Sequence, residues 1–130
     1  MIKQLINVDN YWKVIVYYNV DYNFFDIVIR DVANTGTPVK EMVSILNLLH
    51  NHKIKAVTIN KPKIYTSYII FGKHKTIPDY ISSIVHEAEH VKEAMLNKYN
   101  VDNYGEPPAY TIGFLVKEMY SVFADKVTRM

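Results

Sequence analysis

The stretch from Thr76 to Tyr99 has to fold as one helix with two unlike faces, and this limits what the rest of the chain can do. Thr76-Ile77-Pro78-Asp79 opens it like a capping box, with Asp in place of Glu or Gln and a proline in the first turn. At about 100° per residue, Ile81, Ile84, Val85, Ala88, Val91, Met95 and Leu96 spread over one broad side. His86 and His90 fall on the opposite side, with Glu93 and Asn97 near them. The expectation is that one face anchors in a core while the other offers side chains to a cleft.

Within this helix, His86-Glu87-Ala88-Glu89-His90 is an H-E-x-x-H motif. Positions i and i+4 stand one above the other, so the two imidazoles can close on one zinc ion. Glu87 falls to the side of that pair, where a carboxylate takes a proton from water activated by the metal. The competing reading is a polar helix face that happens to carry two histidines. The apolar opposite side and a candidate third ligand favour the metal.

A catalytic zinc site usually has three protein ligands and an open position. The extended metzincin pattern requires Gly at 93 and His at 96; Glu93 and Leu96 stand there, which excludes that class. His50-Asn51-His52 ends a helix and reads as a solvated cationic helix end. Glu106 is the better candidate, at the start of the last helix and followed by Pro107-Pro108, which fix its geometry. An acidic group favoured by the helix N-terminus is a second, compatible reading of Glu106. Tyr110 lies four residues on, above Glu106. It either donates its hydroxyl to an oxyanion or packs a core as one of 11 tyrosines. Glu93 reads as a solvated or supporting carboxylate.

These residues resemble the gluzincin metallopeptidases, in which H-E-x-x-H on one helix is completed by a Glu from the next. The nearest likeness is to the small members found in phages and mobile elements, distantly ImmA/IrrE-like. The matching part runs from about Tyr68 to Tyr120: YIIFGK, IVHEAEHVKEAM and GEPPAYTIGFLVKEMY. The resemblance implies zinc held by His86, His90 and Glu106, with Glu87 as general base acting on a peptide or protein substrate. It also implies that the Tyr65 to Phe71 strand borders the cleft and pairs with an extended substrate. The alternative is a phage or mobile-element accessory or structural protein that keeps the zincin fold and acts by binding a phage or host protein. A third is a regulator that interacts with a repressor.

The 130 residues suggest one domain, 1–130, and 49% hydrophobic content suffices for a core. No apolar run approaches the ~18–20 residues of a membrane span, and no signal-peptide pattern follows Met1, so a cytoplasmic protein without membrane contact is expected. The chain has no cysteine, which excludes disulfides and thiolate metal sites. Net charge is +2, and the lysines from Lys53 to Lys75 read as a protected strand edge, so no nucleic-acid partner is expected.

The remaining elements follow from periodicity and turn residues. Tyr11 to Val20 reads as a strand and Phe24 to Val32 as its returning partner. Thr37 caps a helix with Pro38 in its first turn, carrying Val39, Met42, Val43, Leu46 and Leu49 at helical spacing. Lys55 to Asn60 and Lys63 to Phe71 read as strands, Asn100 to Gly105 as a loop, and Pro107 to about Val127 as the last helix. The fold class expected is α+β in the order β-β-α-β-β-α-α. A small mixed sheet packs on the H-E-x-x-H helix and on the C-terminal helix.

Overall fold

In the computed structural model, which describes residues 2–101 and 105–122, two hairpins meet edge to edge to form a four-stranded sheet. Strands β1 (Ile2–Val8) and β2 (Trp12–Tyr18) pair antiparallel, from Ile2 opposite Tyr18 to Val8 opposite Trp12. Strands β3 (Ala56–Lys61) and β4 (Thr66–Phe71) pair likewise, with Thr58 opposite Ile69 and Asn60 opposite Ser67. β2 and β4 run parallel and join the hairpins, giving the order β1-β2-β4-β3. The sheet is therefore mixed, as expected.

Four helices cover its two faces. α1 (Phe25–Ala33) and α2 (Val39–His50) pack on one, and α3 (Ile77–Lys98) and α4 (Glu106–Val122) on the other. Strand alternation divides the side chains between two cores. Trp12, Val14, Val16, Tyr18, Ile69 and Phe71 meet Ile84, Ala88, Val91 and Met95 of α3, and Leu115 and Met119 of α4. Tyr17, Tyr68 and Ile70 meet Phe25, Val28 and Val32 of α1, and Met42, Leu46 and Leu49 of α2. β4 is buried along its whole length, which accounts for its unbroken apolar run Tyr68 to Phe71.

The α+β class holds, and both the motif helix and the helix after it pack on the sheet. The element order differs over the first 35 residues and is β-β-α-α-β-β-α-α. Phe24 to Val32 is not a returning strand. Its apolar residues Phe25, Val28 and Val32 recur at i, i+3 and i+7, and burying that stripe outweighs the β propensity of its Ile and Val residues. The true partner of β2 is β1. The chain turns between them through Asp9 and Asn10, both at positive φ (49° and 63°), with the Tyr11 amide donating to the Val8 carbonyl at 2.9 Å. Asp and Asn tolerate this left-handed backbone, and the pair suits a hairpin turn.

Two helix starts test the capping residues. The Thr76 hydroxyl accepts from the Asp79 amide at 3.2 Å, as the capping box requires. Thr37 does not cap α2: Pro38 occupies the cap position with no side-chain hydrogen bond, and Thr37 is buried. No helix among the described residues is long and apolar enough to cross a membrane.

Candidate metal centre beside an edge strand

α3 crosses the sheet next to β3, the outer strand of the second hairpin, and the motif stands at that crossing. The expected faces are only partly those observed. Ile84, Ala88, Val91, Met95 and Leu96 are buried, but Ile81 and Val85 stand 39% and 45% exposed. In their place Tyr80, Ser83, Glu87 and Lys92 turn inward. The helix is rotated so that the flank carrying Glu87 faces β3.

His86 and His90 are exposed, on the solvent side of that flank. Their Nε2 atoms lie 3.3 Å apart, and their rings meet edge to face with centroids 4.8 Å apart. Two nitrogen ligands at Zn–N distances of about 2.0–2.1 Å and a tetrahedral angle are about 3.3–3.4 Å apart. The donor pair therefore has the spacing a tetrahedral zinc ion needs.

Glu87 is only 4% exposed. Its Oε1 accepts a hydrogen bond from the Thr58 hydroxyl at 3.0 Å, and Oε2 lies 3.9 Å from His86 Nε2. An ionised carboxylate this far from water needs such a partner. The other acidic residue of the motif, Glu89, pairs with buried Lys92 at 2.5 Å on the opposite flank of the helix.

A chain of hydrogen bonds fixes the second histidine's turn to the sheet. The Trp12 indole donates to Ser67 Oγ at 2.9 Å, and the Ser67 hydroxyl donates to Asn60 Oδ1 at 2.5 Å. The Asn60 amide donates to the His90 carbonyl at 3.3 Å. Thr58 and Asn60 lie on one face of β3 because strand side chains alternate, and together they tie Glu87 and His90 to the edge strand. Neither residue was singled out from sequence. The Thr58–Asn60 alternation carries the signal, but only once β3 is known to lie beneath the motif helix.

Glu87 and His86 open onto a cleft of about 340 Å³ lined also by Ile54, Lys55, Ala56, Ser82 and Ser83. The strand bordering this cleft is β3. β4, which holds most of the Tyr65 to Phe71 segment, is interior, with β2 and β3 on either side. Both of its edges are hydrogen-bonded to neighbouring strands, whereas β3 is an outer strand of the sheet.

The candidate third ligand stands apart from this description. The backbone of Glu106 opens α4, but its side chain lies outside the described residues, as does the part of the last helix beyond Val122. α4 packs on the β1 side of the sheet, where the Gln4 side-chain amide donates to the Glu118 carbonyl at 3.1 Å, whereas Glu87 faces β3. Tyr110 is 77% exposed, so it is not a core tyrosine. His50 and His52 end α2 in the opposite layer, and His74 is engaged with Gly72 and Ser83. Among the described residues, no group of three His, Asp or Glu side chains is placed to hold a metal ion. Comparison of the chain with protein-family models, with curated proteins and with solved structures yields no match.

Proposed function

We propose that the chain is a zinc-dependent hydrolase of peptide bonds, with His86 and His90 as metal ligands and Glu87 as the proton carrier. The observation that carries this reading is the 3.3 Å separation of two exposed imidazole Nε2 atoms, with a sheltered carboxylate beside them. Zinc held by this pair supplies Lewis acidity, polarising a carbonyl and lowering the pKa of water to about 7.

The chain's own groups divide the remaining work. The Thr58 hydroxyl occupies Glu87 Oε1, so Oε2 is the oxygen that takes up a proton from water and returns it to the leaving amine. The hydrogen bond also holds the carboxylate in one rotamer beside the cleft, so it need not be reoriented at each turnover. β3 is an outer strand of the sheet among the described residues, and an extended peptide can add to it as a further strand with its backbone passing the cleft.

Glu106 is proposed as the third ligand and Tyr110 as a hydroxyl donor to the oxyanion. The fold sets a demand on both. α3 continues to Lys98, about 12 Å past His90 at 1.5 Å per residue, so the Glu106 carboxylate has to reach back over the last turns.

Zinc titration of the metal-free chain tests the centre. One equivalent should bind, and His86→Ala or His90→Ala should abolish binding. Glu106→Ala should weaken it far more than Glu93→Ala. Peptide-library cleavage by the zinc-loaded chain, absent in Glu87→Gln, tests the reaction. Failure of the wild type to take up zinc would end the proposal. Bound zinc without cleavage of any peptide would favour the partner-binding alternative.

A further inference from the structure

A second constellation reaches the same cleft through Ser83, and it involves neither proposed zinc ligand. His74 lies in the turn between β4 and α3, half-buried, with its ring stacked on Tyr80 at 4.0 Å between centroids and set edge-on to Phe71 at 6.3 Å. Its Nδ1 is 3.1 Å from the Gly72 carbonyl oxygen, and its Nε2 is 2.7 Å from Ser83 Oγ. A carbonyl only accepts, so Nδ1 carries the ring proton. Nε2 is then the basic nitrogen, and the Ser83 hydroxyl donates to it. Burial, joined by the nearby Lys55 charge, holds His74 below the usual histidine range despite the Gly72 bond and Asp79, so the ring is neutral near pH 7.

A hydroxyl donating to an imidazole whose other nitrogen is anchored is the arrangement of an activated serine. Ser83 is largely buried, at 8% exposure, yet it lines the cleft, one turn before Glu87 on the same flank of α3. Ile54 and Ala56 make part of the wall aliphatic, which suits a short acyl chain. Lys55, which lines the same wall and whose Nζ pairs with Asp79 at 3.4 Å, is the cation nearest a developing oxyanion there.

We propose that Ser83 and His74 form a nucleophilic dyad that hydrolyses carboxylic esters of short aliphatic acids. Ser83 Oγ bonds to the ester carbonyl carbon as its proton passes to His74 Nε2. The ester C–O bond breaks, the alcohol leaves with the proton from Nε2, and the acyl group stays on Ser83. Water then gives a proton to Nε2 while its oxygen bonds to the acyl carbon. The carboxylic acid departs, and Oγ recovers its proton from Nε2.

The experiment is labelling of the full chain with an alkyl fluorophosphonate in the presence of EDTA, which removes any contribution from zinc. Phosphonylation should occur once per chain and map by peptide mass spectrometry to Ser83. Ser83→Ala should lose it and Ser82→Ala should keep it. His74→Gln keeps an amide for hydrogen bonding but takes up no proton, and should slow labelling by about 100-fold or more with the thermal transition retained. The absence of an adduct on the wild type, an adduct that survives Ser83→Ala, or labelling of folded His74→Gln at the wild-type rate would overturn the dyad. If His74→Gln does not fold, the Ser82 and Ser83 variants decide alone. None of these outcomes bears on zinc uptake by His86 and His90.

Discussion

Replacing Thr58 by Val tests whether the edge strand holds the buried carboxylate of the motif. The change removes the hydroxyl that donates to Glu87 Oε1 at 3.0 Å and keeps the β-branched shape that suits a strand. A hydrogen bond to a charged group contributes about 1.5–3 kcal/mol, and Glu87, at 4% exposure, has little water to replace it. In a Glu87→Gln background the same hydroxyl meets a neutral amide, where about 0.5–1.5 kcal/mol is at stake. Thr58→Val should therefore cost about 1 kcal/mol more with Glu at 87 than with Gln, the coupling read by a double-mutant cycle. For a domain of this size 1 kcal/mol moves the melting point by roughly 3–5 °C, so the single variant should fall by roughly 5–15 °C. Urea denaturation and thermal melting of the four metal-free proteins measure it. A fall of less than about 2 °C, or equal falls in both backgrounds, would show that Thr58 does not carry the carboxylate.

Glu87→Gln should keep zinc binding and lose hydrolysis by about 100-fold or more. It should also melt no lower than the wild type, because an ionised group leaves a buried position; metal analysis, peptide cleavage and a thermal scan check the three parts. Ser67→Ala strips the buried Trp12 indole of its acceptor and should destabilise by about 1–3 kcal/mol. The chain's single tryptophan makes its own fluorescence the reporter of that unfolding. Stability should decline as pH falls below about 6.5, because His74 is held below the usual histidine range in the fold and the unfolded chain binds that proton first. Above that pH both states are neutral and the effect vanishes. Lys55 and Asp79 are the charges that face it, and urea midpoints at pH 7.5 and 5.5, with His74→Gln as comparison, measure the slope.

The parts legible in sequence were those set by local chemistry. The Thr76 cap, the 3.6-residue period of α3 and the β-branched and aromatic runs of β2 and β4 act within a few positions, and each appears in the structure. The misassigned segment shows where local signals conflict. Ile27, Val28, Ile29 and Val32 favour a strand by type and a helix by spacing, and the spacing wins because Phe25, Val28 and Val32 then bury against Met42 and Leu46. β1 was missed because its turn uses Asp9-Asn10 without glycine, and because three of its seven residues, Lys3, Gln4 and Asn7, are polar. Gln4 among them is there for a tertiary reason, accepting from the Tyr18 hydroxyl at 2.7 Å. Sequence periodicity also cannot say which strand lies at a sheet edge. That depends on the parallel joining of β2 to β4, a contact between segments some fifty residues apart.

The same long-range contact explains the turn of the motif helix. With Ile84 as origin, the sequence pattern centres the apolar face between Ile81 and Ala88. The observed buried set, which takes in Ser83 and Glu87, is centred about 40° closer to β3, at about 100° per residue. By apolar content this rotation is unfavourable, since it exposes Ile81 and Val85 and covers a carboxylate. It is offset because Thr58 and Asn60 present hydrogen-bonding groups at the place where Glu87 and the His90 carbonyl arrive. The boundary between core and solvent then runs between Glu87 and the two histidines. A proton-carrying carboxylate benefits from that shelter, which keeps it oriented and partly dry. A ligand pair benefits from the opposite side of the boundary, where an ion and a substrate can reach it. An unrotated helix would leave Glu87 beside the histidines in open water, with no strand partner to hold it. The departure of α3 from its own apolar pattern is therefore the feature that gives the three residues of one motif two different environments.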